Sequence, residues 1–281
     1  MAEMTDYEGY VGVDIGGQSI RVGTIRNGEL EVRGFETPAS YPEARERIIA
    51  LARELAGGSP RGLGIGSPGP LDWRTGKLLW TPNIPWKDVS YAELGDPLGC
   101  PVYVDNDANV AGLAEAVLGA GRGAEIVSGF TLGTGIGFFT IMHGHIYHGR
   151  FDVEGGHQML NPEGPVCGCG ARGCLEAYAS ATAIEARTGK RPDQIDDPAF
   201  WDEIAGYLAQ GVINVNNLIG PDVIILAGGM TQRGDLLMEP LRRKANEWCK
   251  ILPMAPILIA ELGHQAGIYG GIVLARLGHG A

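Results

Sequence analysis

The chain has 281 residues, which is enough for one large domain or two ordinary domains with full hydrophobic cores. Its net charge of −11 disfavours non-specific binding to nucleic acid or to an anionic membrane, although local backbone amides and a metal ion can still bind phosphate. Residues 1–9 are polar and acidic, and no apolar run approaches the roughly 18 residues of a membrane-spanning helix. We therefore expect a cytoplasmic globular protein, in which 45 glycines favour tight turns and backbone-lined ligand loops.

The first predicted feature is a β-hairpin that turns on two glycines. Residues 10–15 and 19–25 read as strands on either side of Gly16-Gly17. Because a strand follows the glycines, the pattern differs from a dinucleotide-binding start, where a helix follows. The amides of these glycines can approach a phosphate, and Asp14 can hold Mg²⁺ through water. An ordinary hairpin with an incidental aspartate explains the same residues.

Turn residues and hydrophobic spacing predict the segments that follow. In chain order they are a tight turn at Asn27-Gly28, a strand over 30–35, a helix over 41–56, a buried strand over 62–66 and a turn over 67–72. Asn83 and Trp86 lie in the next loop. Asn83 is a candidate ligand for a hydroxyl group and Trp86 a candidate wall of a pocket, although each can equally be structural.

A strand over 102–105 then runs directly into a helix that ends near residue 118. Asn106, Asp107 and Asn109 stand at this junction, and any of them can cap the helix. A cap needs one polar residue, whereas four of the five positions from 105 to 109 are polar. That surplus favours a site at the carboxyl end of the strand, where α/β folds bind their ligands.

The second half of the chain repeats the glycine-turned hairpin. Within residues 127–147, strands are predicted on either side of Gly133-Thr134-Gly135. The Gly-Thr-Gly-Ile-Gly run resembles a dinucleotide-binding fingerprint, but it is a weak indication of one because a strand and not a helix follows it. Gly228-Gly229 ends a later buried strand and allows backbone contact with a flat ligand. The remaining predicted elements are helices over 173–186, 200–218, 236–250 and 267–277, and strands over 223–227 and 257–261.

Three cysteines lie within eight positions, and a histidine stands ten positions before the first: His157, Cys167, Cys169 and Cys174. One histidine and three cysteines form a complete ligand set for a structural zinc ion. A redox pair, a disulfide and inert packed thiols are the alternatives, although three cysteines leave one unpaired in any disulfide scheme. Glu154 and Glu176 flank this loop, so zinc would place both carboxylates and His157 around a substrate.

The pattern Glu154-x-x-His157, followed by Cys167-Gly-Cys169 and Gly173-Cys174-Leu-Glu176, resembles the signature of the ROK family of repressors, open reading frames and sugar kinases. Further motifs that resemble this family are Asp14-Ile-Gly-Gly-x-x-x-Arg21, Gly66-Ser-Pro-Gly-Pro, Asn83, Asn106-Asp107-Ala-Asn, Gly133-Thr-Gly-Ile-Gly, Ala227-Gly-Gly and Ala266-Gly-x-x-Gly-Gly. The resemblance implies an α/β fold of the actin-like ATPase (ribonuclease H-like) class, with two similar domains flanking a cleft. We expect a small domain from residues 1–108 and 267–281 and a larger one, with the zinc loop, from residues 109–266.

The resemblance also implies a role for each motif. Asp107 would be the catalytic base, and structural zinc would be bound by His157, Cys167, Cys169 and Cys174. The implied sugar-binding residues are Asn83, Asn106, Asp107, Glu154, His157 and Glu176. The implied groups for ATP and Mg²⁺ are Asp14, Gly16, Gly17, Gly133, Thr134, Gly135, Gly228 and Gly229.

The expected activity is transfer of the ATP γ-phosphoryl group to the 6-hydroxyl of a hexose, with glucose as the commonest acceptor among similar proteins. N-acetylmannosamine, mannose, fructose and allose are alternative acceptors, and a non-catalytic sugar-sensing protein is the alternative class. ROK repressors carry an N-terminal helix-turn-helix, whereas the first hairpin begins at residue 10 here. Polyphosphate is disfavoured as the donor, because relatives that use it tend to lack the cysteine loop.

Two departures from the family pattern bear on the acceptor and the donor. Gln18 stands where threonine is usual after the two glycines, and residues 150–153 replace a small, glycine- and alanine-rich run before Glu154. The resemblance also implies a homodimer.

Overall fold

The computed structural model describes residues 4–79, 81, 84–150 and 152–279. The predicted sugar ligand Asn83 lies outside the described residues, as does Phe151 in the segment before Glu154. The chain forms two compact units, one from residues 1–118 and 264–281 and the other from residues 119–263. No helix among the described residues has the length and hydropathy needed to cross a membrane.

The α-helices of the described chain are α1 (Tyr41–Ala56), α2 (Gly95–Leu98), α3 (Asp107–Val117), α4 (Leu175–Ala179), α5 (Ala181–Thr188), α6 (Pro198–Ile219), α7 (Asp235–Trp248) and α8 (Ala266–Leu277). The β-strands are β1 (Tyr10–Ile15), β2 (Ser19–Arg26), β3 (Glu29–Glu36), β4 (Gly62–Ser67), β5 (Leu71–Asp72), β6 (Lys77–Leu78), β7 (Val89–Ser90), β8 (Val102–Asn106), β9 (Ile126–Leu132), β10 (Ile136–Met142), β11 (His145–Ile146), β12 (Val223–Ala227) and β13 (Ile257–Ile259).

The first unit is built on a five-stranded mixed sheet in the order β3-β2-β1-β4-β8. The antiparallel strands β1, β2 and β3 form one side, and β4 and β8 continue the sheet parallel to β1. Asp14 of β1 and Asp105 of β8 both pair in register with Gly66 of β4. Because parallel strands end at the same edge of a sheet, the turn after Asp14 and the junction after Asp105 share that edge. A small antiparallel sheet, β5-β6-β7, is inserted between β4 and β8.

The second unit repeats this topology. Its sheet has the order β11-β10-β9-β12-β13, with β9, β10 and β11 antiparallel and β12 and β13 parallel to β9. Ala227 at the end of β12 pairs with Thr131 near the end of β9, so the strand ends again share one edge. If the strands of each five-stranded sheet are numbered from 1 to 5 along the chain, both sheets have the order 3-2-1-4-5. The prediction of two similar halves from the two glycine-turned hairpins is confirmed.

Glycines account for the close packing of α8 on the first sheet. A Cβ atom at Gly12 would lie 2.2 Å from a carbonyl oxygen of α8, and one at Gly64 would lie 2.0 Å from another. Gly270 of α8 meets α3 in the same way, because its Cβ would lie 1.8 Å from the carbonyl oxygen of Val110. The high glycine content therefore serves helix packing as well as turns.

Each unit has a core in which helices cover the sheet. In the first unit, α1 buries Ile48 and Leu55 and ends at Gly57, whose φ of 70° suits glycine. In the second unit, the indole of Trp201 on α6 is fully buried, and its Nε1 donates to the carbonyl of Ile195 at 2.7 Å. Burial of one leucine or isoleucine side chain contributes roughly 1.5–3 kcal/mol, so these helices bind the sheets through their apolar faces.

The predicted single helix over 173–186 is wrong. The structure has two helices there, α4 and α5, which are separated at Ser180. Ser180 adopts extended backbone angles, and its hydroxyl accepts the N–H of Ala183 at 3.1 Å. A serine in this role starts a new helix, so the hydrophobic spacing alone misses the break.

The division between the units also differs from the predicted one. The predicted boundary after residue 108 assigned most of α3 to the second domain, whereas the structure places α3 in the first unit and divides the chain after Leu118. The reason is packing, since α3 lies against α8 through the close contact at Gly270. Helix assignment to a domain depends on such a long-range contact and not on the local sequence.

Candidate active site

In the first unit, Gly16 and Gly17 form the turn between β1 and β2. The N–H of Gly16 donates to the carbonyl of Ser19 at 2.9 Å, which closes the turn. Thr37 fixes it from outside, because its hydroxyl donates to the Gly16 carbonyl at 2.6 Å and its N–H donates to the Gln18 carbonyl at 3.1 Å. Gln18 is exposed and enters this arrangement through its backbone, so its unusual side chain leaves the turn intact.

Asp14 forms an ion pair with Arg21, which stands directly opposite it across the β1–β2 hairpin. Arg21 also donates to the carbonyl of His264 at 2.7 Å, just before α8. A Cβ atom at Gly267 would lie 2.8 Å from the carboxyl carbon of Asp14, so this glycine makes room for the carboxylate at the start of α8. The family motif included Arg21, but the pairing of Arg21 with the predicted Mg²⁺ ligand was not predicted from the sequence. The hairpin register was the signal that could have found it.

Asn106 and Asp107 lie where β8 passes into α3. Asn106 is the N-cap residue, and its Oδ1 accepts the N–H of Ala108 at 2.9 Å. Asp107 is exposed at the first position of the helix, and its Oδ1 lies 2.8 Å from the same N–H. A negative side chain is favoured at the start of a helix. Capping and site formation are therefore divided between two residues, since Asn106 caps and Asp107 presents its carboxylate at the surface.

Asp105 supports this junction from below and was missed by sequence reasoning. It is fully buried, and its Oδ1 accepts the N–H of Asn106 at 2.8 Å and the Nδ2–H of Asn109 at 2.9 Å. Asn109, which the sequence left open between cap and ligand, therefore binds the carboxylate beneath the site. The available signal was the aspartate itself, because a charged residue in a buried strand is uncommon.

In the second unit, Gly133, Thr134 and Gly135 form the turn between β9 and β10. The N–H of Gly133 donates to the carbonyl of Gly135 at 3.0 Å. The start of α5 donates to the other carbonyls of the turn, with Ala181 N–H to Gly133 at 2.9 Å and Thr182 N–H to Thr134 at 3.3 Å. These bonds direct the carbonyls towards α5 and hold the turn in one conformation.

Gly228 and Gly229 lie beside this turn. A Cβ atom at Gly228 would lie 2.4 Å from the carbonyl oxygen of Leu132, and the residue has a φ of 94°. Gly229 is exposed, and no described atom lies within 4 Å of the position that its Cβ would take, so a ligand can approach its backbone. The two segments predicted to contact the nucleotide in this unit, residues 133–135 and 228–229, thus lie at one edge of the second sheet.

Glu154, Gly155, Gly156 and His157 form a short helical turn on the surface of β10. A Cβ atom at Gly156 would lie 1.9 Å from the carbonyl oxygen of Ile136, and one at Gly155 would lie 2.4 Å from the ring of Phe138. The N–H of His157 donates to the Glu154 carbonyl at 3.0 Å, so the two predicted substrate side chains belong to one turn. Glu154 is exposed and His157 half-buried.

Glu176 connects the glycine turn to the cysteine loop. Its Oε2 accepts the N–H of Ile136 at 2.9 Å, directly after Gly135. Its Oε1 lies 3.7 Å from Sγ of Cys167 and 3.9 Å from Nδ1 of His157. Glu176, which was predicted to bind the sugar, therefore also has a structural role. It links the glycine turn after β9 to the cysteine loop.

The cysteine loop brings together the ligand atoms of His157, Cys167, Cys169 and Cys174, which all lie within 4.8 Å of one another. The Sγ atoms of Cys169 and Cys174 are 3.8 Å apart, and Sγ of Cys167 is 3.6 Å from Nδ1 of His157. Around a tetrahedral zinc ion with Zn–S of about 2.3 Å and Zn–N of about 2.05 Å, such pairs would be about 3.8 Å and about 3.6 Å apart. The four residues fit zinc, with Nδ1 as the histidine ligand, and the thiols form no disulfide.

The electrostatics of the three thiols differ. Burial raises the pKa of Cys167 to about 12 and also raises the pKa of Cys174. A backbone hydrogen bond from Ala171 lowers the pKa of Cys169, which is the exposed thiol of the set. Zinc binds thiolates, so metal binding here would displace protons from the two buried thiols.

The fold and these sites define a class of protein, a duplicated α/β protein of the actin-like ATPase type. Each unit has a glycine turn, and the second unit also contains a Cys/His loop. The chain belongs to the ROK family, whose model matches residues 10–277. The predicted family and fold class are thereby confirmed.

Three relatives illustrate how far the similarity extends. The glucokinase of Thermotoga maritima is 32% identical over 312 aligned residues, which cover 95% of this chain and 98% of the relative. The crystal structure of the ROK hexokinase from Thermus thermophilus has a TM-score of 0.84 at 32% identity, over 95% of this chain and 98% of that one. A ROK family glucokinase from Streptomyces griseus, in complex with glucose and AMPPNP, has a TM-score of 0.77 at 32% identity, over 96% and 99% of the two chains.

Proposed function

We propose that this protein is an ATP-dependent hexokinase that phosphorylates the 6-hydroxyl of a hexose, with glucose as the preferred acceptor. The observation that carries the proposal is the exposed carboxylate of Asp107 at the first position of α3, in a chain that is 32% identical to a glucokinase over nearly its whole length. The ROK hexokinase and glucokinase structures support the same class of reaction.

Asp107 acts as the general base. It accepts the proton of the 6-hydroxyl, the hydroxyl oxygen forms its bond to the γ-phosphorus, and the bond from that phosphorus to the β,γ-bridging oxygen breaks to release ADP. The transition state of this transfer is loose and its charge is spread over the oxygens, so catalysis consists mainly of positioning and electrostatic stabilisation. A positioned base contributes about 10²–10⁴-fold to the rate.

Each unit contributes its own phosphate-binding backbone. Gly16 and Gly133 close the two turns with their own N–H groups, and the N–H groups of Gly17, Thr134 and Gly135 are offered to the phosphates in turns that neighbouring residues hold rigid. Gly228 and Gly229 allow the nucleotide to approach the backbone. Mg²⁺ bound to ATP neutralises charge on the β- and γ-phosphates, and Asp14 is the carboxylate that would hold it, with Arg21 fixing the orientation of that carboxylate.

Amide and acidic side chains are suited to the remaining hydroxyls of a neutral sugar, because those hydroxyls can donate hydrogen bonds. We assign this role to Asn83, Asn106, Glu154, His157 and Glu176. His157 would use Nδ1 for zinc and Nε2 for the sugar, so that the metal fixes the tautomer of the ring. Glu176, which also accepts the Ile136 N–H, would couple sugar binding to the glycine turn.

His157, Cys167, Cys169 and Cys174 would hold a structural zinc ion, whose contribution is to fold the loop around its glycines. The donor set and its distances support zinc over a redox role, since all four ligand atoms lie within 4.8 Å of one another. We also assign the protein to the cytoplasm, where ATP is available and thiols stay reduced.

We further propose that the protein forms a homodimer through the second unit. Two large apolar side chains, Leu218 and Ile251, are 85% and 81% exposed. They belong to the same end of the unit, because Asn216 of α6 donates to the carbonyl of Pro253 at 3.2 Å and accepts the N–H of Ala255 at 2.9 Å. Clustered exposed apolar residues are typical of protein–protein contacts, and a second copy is the partner that the family resemblance implies.

The test is a panel of acceptors and donors. Purified protein is incubated with Mg·ATP and, separately, glucose, mannose, fructose, allose or N-acetylmannosamine, and ADP release is followed. We expect turnover with glucose and none with 6-deoxyglucose, which lacks the accepting hydroxyl and should inhibit competitively. If only another hexose gives turnover, that hexose and not glucose is the acceptor. If no hexose gives turnover with either ATP or polyphosphate as the donor, a kinase function is contradicted.

A further inference from the structure

A fully buried carboxylate lies directly beneath the proposed catalytic junction. Asp105 has no exposed surface, and its Oδ1 accepts hydrogen bonds from the Asn106 N–H and from Asn109. A buried carboxylate is unfavourable unless hydrogen bonds and opposite charge compensate it. Its second oxygen therefore needs a partner as well.

One partner of this oxygen is His279, a residue that neither the motifs nor the proposed function uses. Its Nε2 lies 3.3 Å from Oδ2 of Asp105 and 3.1 Å from the carbonyl oxygen of Val104. A carbonyl can only accept, so Nε2 carries a proton in this arrangement and donates towards β8. The side chain of His279 is only 12% exposed, so this contact is shielded from water.

The chain after α8 is shaped to place this ring. Gly278 ends the helix with a φ of 68°, and its N–H donates to the carbonyl of Leu274 at 2.8 Å. A Cβ atom at Gly278 would lie 3.2 Å from the ring of Tyr103. The imidazole of His279 then packs against Trp73 and Tyr103, with ring centroids 4.9 Å and 5.7 Å away. Two aromatic rings and two acceptors therefore fix its position.

We propose that His279 is a positioning residue for phosphoryl transfer. It holds the Asp105 carboxylate, which fixes the Asn106 amide and Asn109, and through them the orientation of Asp107 at the start of α3. This proposal rests on the role of Asp107 as base under the proposed function. Misplacement of a reacting group by about 1 Å can lower a rate about 10²-fold, so the loss of a support under the base affects turnover.

The test compares His279→Ala with His279→Gln, whose side-chain amide keeps an N–H donor. Expected for His279→Ala is a fall in kcat of about 10- to 10²-fold, with the hexose Kd changed by less than about threefold. His279→Gln should recover most of the rate. Added imidazole should partly restore His279→Ala, because it can enter the space between Trp73 and Tyr103 and donate to the same acceptors.

Arg276→Ala is the matched control, since it removes a long side chain from the end of the same helix, and this side chain packs on the ring of Tyr7. It should leave kcat unchanged. A wild-type kcat in His279→Ala would overturn the proposal. So would a loss of rate that neither His279→Gln nor imidazole recovers, because the loss would then be one of general stability.

Asp107→Asn, measured in parallel, distinguishes failure of the positioning role of His279 from failure of the proposed role of Asp107 as base. If Asp107→Asn is inactive while His279→Ala is fully active, the role of Asp107 stands and the positioning role of His279 is wrong. If Asp107→Asn turns over normally, the role of Asp107 as base is wrong and the positioning proposal falls with it.

Discussion

Glycine at position 156 is required by a backbone contact. A Cβ atom there would lie 1.9 Å from the carbonyl oxygen of Ile136, which is backbone and cannot rotate away. The turn that carries Glu154 and His157 can lie on β10 only because this side chain is absent. The glycine thus determines how closely two proposed sugar ligands approach the glycine turn after β9.

We predict that Gly156→Ala lowers the free energy of unfolding by about 1–3 kcal/mol or more, because the turn must lift from β10. It should also reduce the zinc content of the protein, since His157 moves with the turn. Thermal unfolding and metal analysis measure both effects. Gly168→Ala is the control, because no described atom lies within 4 Å of its Cβ position, and its stability should change by less than about 0.5 kcal/mol. Equal stability of the two variants would contradict the packing argument.

Some site residues could be identified from the sequence and others could not. The difference lies in how far apart the interacting residues are in the chain. His157 and the three cysteines were recognisable because their spacing within one loop matches a known ligand set. Asp105 and His279 meet across 174 positions, and only the fold brings them together. Arg21 is an intermediate case, because the pairing of Asp14 with Arg21 follows from the hairpin register.

At the scale of elements, the cysteine loop is a structure that a metal ion would complete. Backbone hydrogen bonds contribute to its fold, such as those from the Cys167 N–H to the Ala171 carbonyl and from the Gly173 N–H to the Pro165 carbonyl, each at 2.8 Å. The four ligand atoms lie within 4.8 Å of one another, and Sγ of Cys167 is 3.7 Å from Oε1 of Glu176. We therefore expect zinc to order the loop and, through His157 and Glu176, the sugar site.

We predict about one zinc ion per chain and a loss of about 10- to 10²-fold in zinc affinity for Cys169→Ser, which removes the exposed thiol ligand. The affinity for hexose should fall with the zinc, because His157 loses its orientation. Metal analysis, hexose calorimetry and hydrogen exchange of residues 157–174 measure the three effects. Cys100→Ser, outside the loop, should leave them unchanged. A metal-free preparation with full activity and a protected loop would contradict the zinc assignment.

Strands and helices were predictable from sequence where local pattern determines them. The hairpins around Gly16-Gly17 and Gly133-Thr134-Gly135 follow from apolar strands separated by glycines, and α1 follows from its spacing and its terminal glycine. The break at Ser180 was not predictable from spacing, because a serine hydroxyl at an N-cap interrupts a pattern that otherwise reads as one helix.

At the scale of the whole molecule, duplication was visible in the sequence but the division of the chain was not. Two hairpins of similar pattern predicted two similar units, and the matching strand orders bear this out. The assignment of α3 to the first unit depends on its contact with α8, more than 150 positions later in the chain. Domain boundaries therefore followed packing that local composition does not report.

The homodimer proposal is also tested at this scale. We predict that sedimentation equilibrium gives a mass of twice the 29.7 kDa chain for the wild type. The double substitution Leu218→Ser and Ile251→Ser should shift it towards the monomer, because it removes the two most exposed large apolar side chains of the described structure. Leu277→Ser, in the first unit, is the control and should remain dimeric. A monomeric wild type would contradict the proposal, and a double variant that stays dimeric would contradict the choice of surface.

The proposed role of Asp107 is tested most sharply by the rate of glucose phosphorylation in the wild type and in Asp107→Asn, measured together with the glucose Kd of each. The substitution keeps the shape of the side chain and removes its basicity. We predict that the wild type forms glucose 6-phosphate and ADP in equal amounts, and that kcat of Asp107→Asn is lower by about 10²–10⁴-fold while its glucose Kd changes by less than about threefold. A near-wild-type kcat in Asp107→Asn would show that the carboxylate at the start of α3 is not the base.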